Sequence, residues 1–188
     1  ILEQPLGERF ITLALKNTDV RVLQDKPVSP GFLFAALLWH EVLTAWNKRQ
    51  AAGEKPLPAL HSAMVETLAL QRQQLAIPRR LDSIIYDIWT LQPRFLARAG
   101  RKPFRLLEHP RFRAAYDFFW LRCESGEINM EAGQWWKVFQ HADGAAREAM
   151  LLKETVSKRR KRPRRRKPAE SADRKSSDAS CLMISAEK

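Results

Sequence analysis

The sequence predicts an all-α fold: an irregular bundle of about six helices over residues 1–152, then a disordered basic tail over 153–188. Three observations carry this. Glycine is scarce, 7 in 188 residues, and runs of β-branched residues are nearly absent, which removes the usual material of strands. Apolar residues recur at three- and four-residue spacing through most of the chain, as one face of a helix requires. That pattern stops at Leu152, beyond which basic residues crowd together.

The first helix is expected from Glu8 to Gln24, with Phe10, Leu13 and Ala14 apolar and Pro27 ending it. Ser29-Pro30 restarts a helix. The serine hydroxyl can accept from a free N–H of the first turn, and proline at the first position gives up an N–H that has no partner. The following run, GFLFAALLWHEVLTAW, is apolar all round from Phe32 to Trp39. It is therefore expected to be the central core helix and the most buried run, continuing to Gly53. A third helix is expected from Pro58 to Leu75, with Leu60, Met64, Leu68 and Leu75 on one face, until Ile77-Pro78 breaks it. Arg79 and Arg80 open a fourth, striped by Leu81, Ile84, Ile85, Ile88, Leu91 or Gln92, and Phe95. Pro93 lacks an N–H and crowds the preceding turn, so a kink or an early stop is expected near Leu91.

The stretch from Arg101 to Cys123, RKPFRLLEHPRFRAAYDFFWLRC, mixes basic and aromatic residues more densely than any other. Pro110 suits the first position of a new helix. Phe112, Tyr116, Phe119 and Cys123 form one stripe and Ala114, Phe118 and Leu121 an adjacent one, so this helix is expected to be buried among others. Arg113, Asp117, Trp120 and Glu124 make up its polar face. On pattern alone it is a core helix with a solvated basic entrance; the sharper reading is a basic end that meets nucleic acid. A last helix is expected from about Met130 to Gln140, with Ile128, Ala132, Trp135 and Phe139 on one side and Trp136 and Lys137 flanking it.

Charge is unevenly placed. The chain carries +12, yet residues 153–188 alone hold 13 Lys and Arg against 5 Asp and Glu. The segment KRRKRPRRRK, Lys158 to Lys167, is basic everywhere but Pro163. Like charges repel and no apolar residue anchors it, so disorder is expected. Such asymmetry points to a polyanionic partner. No run of about 18 apolar residues exists to cross a membrane. The first ten residues lack the basic start and apolar run of a signal peptide. The chain begins without Met and is expected to be cut from something longer. Its two cysteines, Cys123 and Cys181, make neither a disulfide framework nor a zinc pattern, and a reducing, cytoplasmic setting is expected.

Catalytic constellations are missing from the sequence. No Asp-x-Asp pair, Gly-rich phosphate loop or GxSxG occurs. His40, His61, His109 and His141 stand alone, without a partner four residues away.

Several stretches together point to a family: LKNTDVRV (15–22), PGFLFAALLW (30–39), LAIPRRL (75–81), DIWTLQ (87–92), LLEHPRFRAAYDFFWLR (106–122), the Trp135-Trp136 pair and the Arg-rich tail. In order and spacing the chain resembles the C-terminal half of bacterial poly(A) polymerases, class II nucleotidyltransferases similar to CCA-adding enzymes. The resemblance covers about Leu15 to Lys167; the part after Ala169 departs from the family's pattern.

The resemblance implies an enzyme that adds AMP from ATP to RNA 3′ ends without a template, marking RNA for decay. ATP and magnesium then belong to a head domain that this chain lacks, so no cofactor and no catalytic residue is expected here. RNA is the implied partner and RNA-decay proteins are the alternative, docked by the tail and by Trp120 or Trp136 as exposed anchors. The residues expected to hold RNA phosphates are Arg79, Arg80, Arg101, Lys102, Arg105, Arg111 and Arg113 in the body. In the tail they are Lys158, Arg159, Arg160, Lys161, Arg162, Arg164, Arg165, Arg166 and Lys167.

Overall fold

A computed structural model of the chain describes residues 5–152. Among these residues it is all helical: α1 (Leu6–Leu23), α2 (Pro30–Leu37), α3 (Trp39–Ala51), α4 (Pro56–Gln71), a single 3-10 turn (Arg79–Leu81), α5 (Asp82–Phe95), α6 (Lys102–Leu107), α7 (Phe112–Ser125), α8 (Met130–His141) and α9 (Gly144–Met150). None of these helices is long and apolar enough to cross a membrane.

The all-α expectation holds, with more and shorter helices than the sequence suggests. Ser29 caps α2 as expected, its hydroxyl accepting from the N–H of Phe32. The long apolar helix is in fact two, breaking at Leu38, where the backbone turns at φ −93° and ψ −2°. Gly126 closes α7 at φ 92°, a conformation that a Cβ would strain. The α5 helix runs on through Pro93 to Phe95 rather than stopping near Leu91. Proline there falls in the last turn, so only one ladder bond is lost close to where the helix ends anyway. Pro110 lies ahead of α7 instead of opening it. The helix begins at Phe112, whose N–H donates to the His109 carbonyl at 2.8 Å. Leu75, expected on the third helix, lies beyond the end of α4 and is exposed.

α7 is the hub, packed against α1, α2, α5 and α8. Its two sequence stripes face two apolar clusters. Phe118 and Leu121 enter the first, with Phe10 of α1, Ala35 of α2, Trp39 of α3, Met64 of α4 and Ile88 of α5. Phe118 is met edge-on by Phe10, Trp39 and Phe32 at centroid distances of 5.2, 5.4 and 6.0 Å. Phe112, Tyr116, Phe119 and Cys123 enter the second, with Phe95, Trp136 and Phe139. Phe119 stacks on Phe95 at 4.7 Å. The most buried run is therefore Ala115 to Cys123, not Phe32 to Trp39, where Leu37 is exposed and Phe32 to Phe34 are only half-buried.

One buried ion pair lies across the junction of these clusters. Arg122 donates from Nη2 and Nε to Glu127 Oε1 at 2.6 and 3.0 Å, and from Nη1 to Gln92 Oε1 at 3.2 Å. Glu127 accepts again from Trp39 Nε1 at 2.8 Å. The Arg122 guanidinium lies 4.6 Å from the Trp39 ring centroid. Gln92 spends its own amide on the carbonyls of Ile88 and Ala115. Every member is partnered, which is the condition for burying charge.

Cys123 faces the second cluster, and burial pushes its thiol up to about 11. Near pH 8 such a thiol stays protonated, and little of it is the reactive thiolate. Native protein should therefore label with maleimide at Cys123 far more slowly than urea-unfolded protein, read on the Cys123 peptide by mass spectrometry. Equal rates would place the thiol in the open.

Candidate nucleic-acid interface

All seven basic body residues singled out from sequence are exposed. Arg79 and Arg80 stand on the 3-10 turn before α5, and Arg101, Lys102 and Arg105 sit at α6. Arg111 and Arg113 open α7, and of the seven only these two line a cleft of about 730 Å³ between α1, the α1–α2 loop and α7.

The same cleft takes Arg21 and Lys26 as its opposite wall, two residues the sequence reading did not single out. Arg21 is held in place. Its Nη2 and Nε donate to the Pro27 carbonyl at 3.0 and 3.3 Å, across a bend where Asp25 adopts φ 52°. Lys26 donates to Gln24 Oε1 at 2.8 Å. The floor is apolar, with Phe32 and Leu121. A hint of this wall was in the sequence: R-V-L-Q-D-K-P places a basic residue on each side of a helix end, and only the fold brings it to α7.

Two acids temper the charge. Arg111 Nε lies 3.9 Å from Asp87 Oδ2, and Arg113 Nε lies 3.2 Å from Asp117 Oδ1. Both pairs are solvent-accessible, so each is worth little. Each engages Nε and leaves the outer nitrogens of a five-donor fork for an incoming oxyanion. Burial pushes the Asp117 carboxyl above its ordinary value, against the pull of Arg113.

Arg113, Asp117 and Trp120 also line a second cleft of about 420 Å³, completed by Tyr116 and by Lys137, Gln140 and His141 of α8. Burial pushes the Tyr116 phenol up to about 12, so it stays a neutral hydroxyl near neutral pH. Trp120 is half-buried, whereas Trp136 is fully buried and donates to the Phe95 carbonyl at 2.8 Å. Trp136 thus cannot serve as an exposed anchor, and Trp135, expected inside, is only half-buried and stacks on Phe139 at 4.6 Å. Among the described residues no cluster of three His, Cys, Asp or Glu side chains could hold a metal. The nine basic tail positions between Lys158 and Lys167 lie outside the described residues.

Residues 52–169 match the family described as polymerase A arginine-rich C-terminus. The chain belongs to that family. Poly(A) polymerase I of Escherichia coli O157:H7 is 44% identical over 169 residues, which cover 86% of this chain and 36% of the relative. The Salmonella typhi protein of the same name is 40% identical over equal shares. That of Haemophilus influenzae is 37% identical over 178 residues, 91% of this chain and 39% of its own. The chain thus spans less than two fifths of these relatives' length. The arginine-rich C-terminus match takes in all seven basic body candidates, Trp120 and the basic tail segment. It begins after Arg21 and Lys26, so half of the basic cleft lies outside it.

Proposed function

We propose that this chain is the RNA-holding, non-catalytic C-terminal part of a bacterial poly(A) polymerase, a cytoplasmic enzyme adding AMP from ATP to RNA 3′ ends. The observation that carries the proposal is the convergence of Arg21, Lys26, Arg111 and Arg113 on one cleft, in a chain whose relatives are named poly(A) polymerase I. ATP and magnesium belong, on this reading, to the rest of such an enzyme.

The chemistry of holding follows from these residues. An enzyme that extends many different 3′ ends needs a grip on what all RNA shares, and that is phosphate. Lys and Arg neutralise phosphates and release counterions, without reading sequence. The apolar floor keeps the charged rim from being a plain solvated patch.

The test is the salt dependence of binding to single-stranded RNA. Replacing Arg21, Lys26, Arg111 and Arg113 together by Gln should flatten the log–log slope by about 0.7 per lost contact, at most about 3 in all. An unchanged slope would exclude the cleft as the RNA contact. Replacing the same number of exposed residues elsewhere, such as Lys16, Lys48, Lys55 and Arg94, should leave the slope alone.

Asp117 sets a pH dependence on the same site. Its carboxyl is raised in the folded chain, so the fold takes up this proton more readily than the unfolded chain does. Asp117 therefore favours folding when protonated, and that contribution is lost as pH rises through the raised value. The same protonation removes a negative charge from the cleft. RNA binding should tighten as pH falls through that range, and Asp117→Asn should bind several-fold more tightly near neutral pH and lose this part of the pH response. A variant that kept the wild-type profile would clear Asp117 of any part in it.

A further inference from the structure

Charge does not account for Trp120. With Arg113 and Asp117, this side chain lines both clefts, so its indole stands where the two meet. Its seat is shaped for it. A Cβ on Gly133 of α8 would come 3.3 Å from Trp120 Cε3 and 3.2 Å from Cys123 Sγ, and the glycine lets the ring rest close against α8. Tyr116, one turn earlier, supports it with ring centroids 6.2 Å apart. Lys137 holds its ammonium 5.6 Å from the indole centroid. Basic groups flank the ring on both sides: Arg111 in the larger cleft, Lys137 and His141 in the smaller one, and Arg113 in both beside the one shared acid, Asp117.

We propose that Trp120 is the stacking platform for one base of a single-stranded RNA whose backbone passes from the Arg111 and Arg113 cleft, over the indole, to the Lys137 and His141 cleft. The inference rests on the RNA-holding reading above and adds to it a contact with a base. Every nucleobase has a π face, so stacking on an aromatic ring adds affinity without demanding a sequence. A flat ring fixed between two basic clefts suits a strand that alternates base and phosphate. A protein segment anchored on Trp120 would gain nothing from cations on both sides unless it were itself a regular polyanion.

The experiment measures the full 188-residue chain against two labelled single strands of equal length, an oligoadenylate and an abasic strand, by fluorescence anisotropy. Phosphate contacts anywhere in the chain act on both strands alike, so the ratio of the two affinities isolates the base. The wild type should prefer the oligoadenylate. Trp120→Leu should weaken oligoadenylate binding by about tenfold and leave the abasic strand unchanged. Trp120→Phe, which keeps a smaller ring, should restore part of the preference. Equal wild-type affinity for the two strands would overturn the inference while leaving the phosphate grip standing, and so would a Trp120→Leu loss that falls equally on both. A wild type that binds neither strand would remove the RNA-holding reading itself and leave the clefts to a protein partner.

Discussion

Glu127→Ala is expected to destabilise the chain by about 3–5 kcal/mol, the range for removing one member of a buried ion pair. The Arg122 and Glu127 side chains are only 6% and 14% exposed, so solvent screens little of the interaction. Removing the carboxylate strands the guanidinium against Gln92 and leaves Trp39 Nε1 without its acceptor. The loss is the desolvation of the groups left behind rather than the worth of the pair itself. Glu127→Gln keeps an acceptor and should cost less. Arg122→Met combined with Glu127→Leu removes both charges and should recover much of the stability lost by either single change. Urea unfolding reads all three. For a domain of this size the Glu127→Ala midpoint should fall by about 2 M. A loss below about 1 kcal/mol would mean that water reaches the pair and that it does not tie α7 to α3 and α5.

That network marks the limit of what the sequence shows. Arg122 follows Trp120-Leu121 on a helix whose stripes are plain, but an arginine reads as surface until its partners are known. Gln92 is 30 residues away and Trp39 is 88 residues from Glu127. The stripes themselves are legible because they are local: Phe112, Tyr116, Phe119 and Cys123 against Ala114, Phe118 and Leu121 gave the two buried faces, and only the fold shows that each enters its own cluster. Ser29 is legible for the same reason, since a cap lies within one turn of what it caps. The break at Leu38 is not, because Leu37, Leu38 and Trp39 include no glycine or proline. On α8 it is Trp136 rather than Trp135 that faces inward, together with Gly133, which counts as nothing in an apolar stripe yet permits close approach to α7. Asp143, whose side chain accepts from the N–H of Ala146 at 2.7 Å, was a capping signal for α9, a helix beyond the last one expected. Arg111 and Arg113 could be picked out as basic residues at a helix start, but their partners Arg21 and Lys26 come from about 90 residues earlier.

The basic tail should have the largest effect on RNA affinity. Nine Lys and Arg fall within Lys158 to Lys167, more positive charge than the cleft gathers. If all nine met phosphates of a single strand, they would add about −6 to the log–log salt slope, at roughly −0.7 per contact. Fewer contacts give a proportionally smaller share, and the measured change in slope reports how many engage. Replacing all nine by Gln in the full chain should thus weaken RNA binding by orders of magnitude at low salt and little at high salt, where the released counterions no longer drive association. The described helices and both apolar clusters lie before residue 153, so the thermal melt of this variant should match the wild type. Replacing the residues from Ala169 onward, which carry little net charge, should change almost nothing. The cleft substitutions and the tail substitutions act on separate phosphates, so their slope changes should add when combined. A tail variant that kept the full slope would assign the phosphate contacts to the helical body alone. The tail's charge would then serve an acidic protein partner, and competition by mixed RNA would fail to displace that partner.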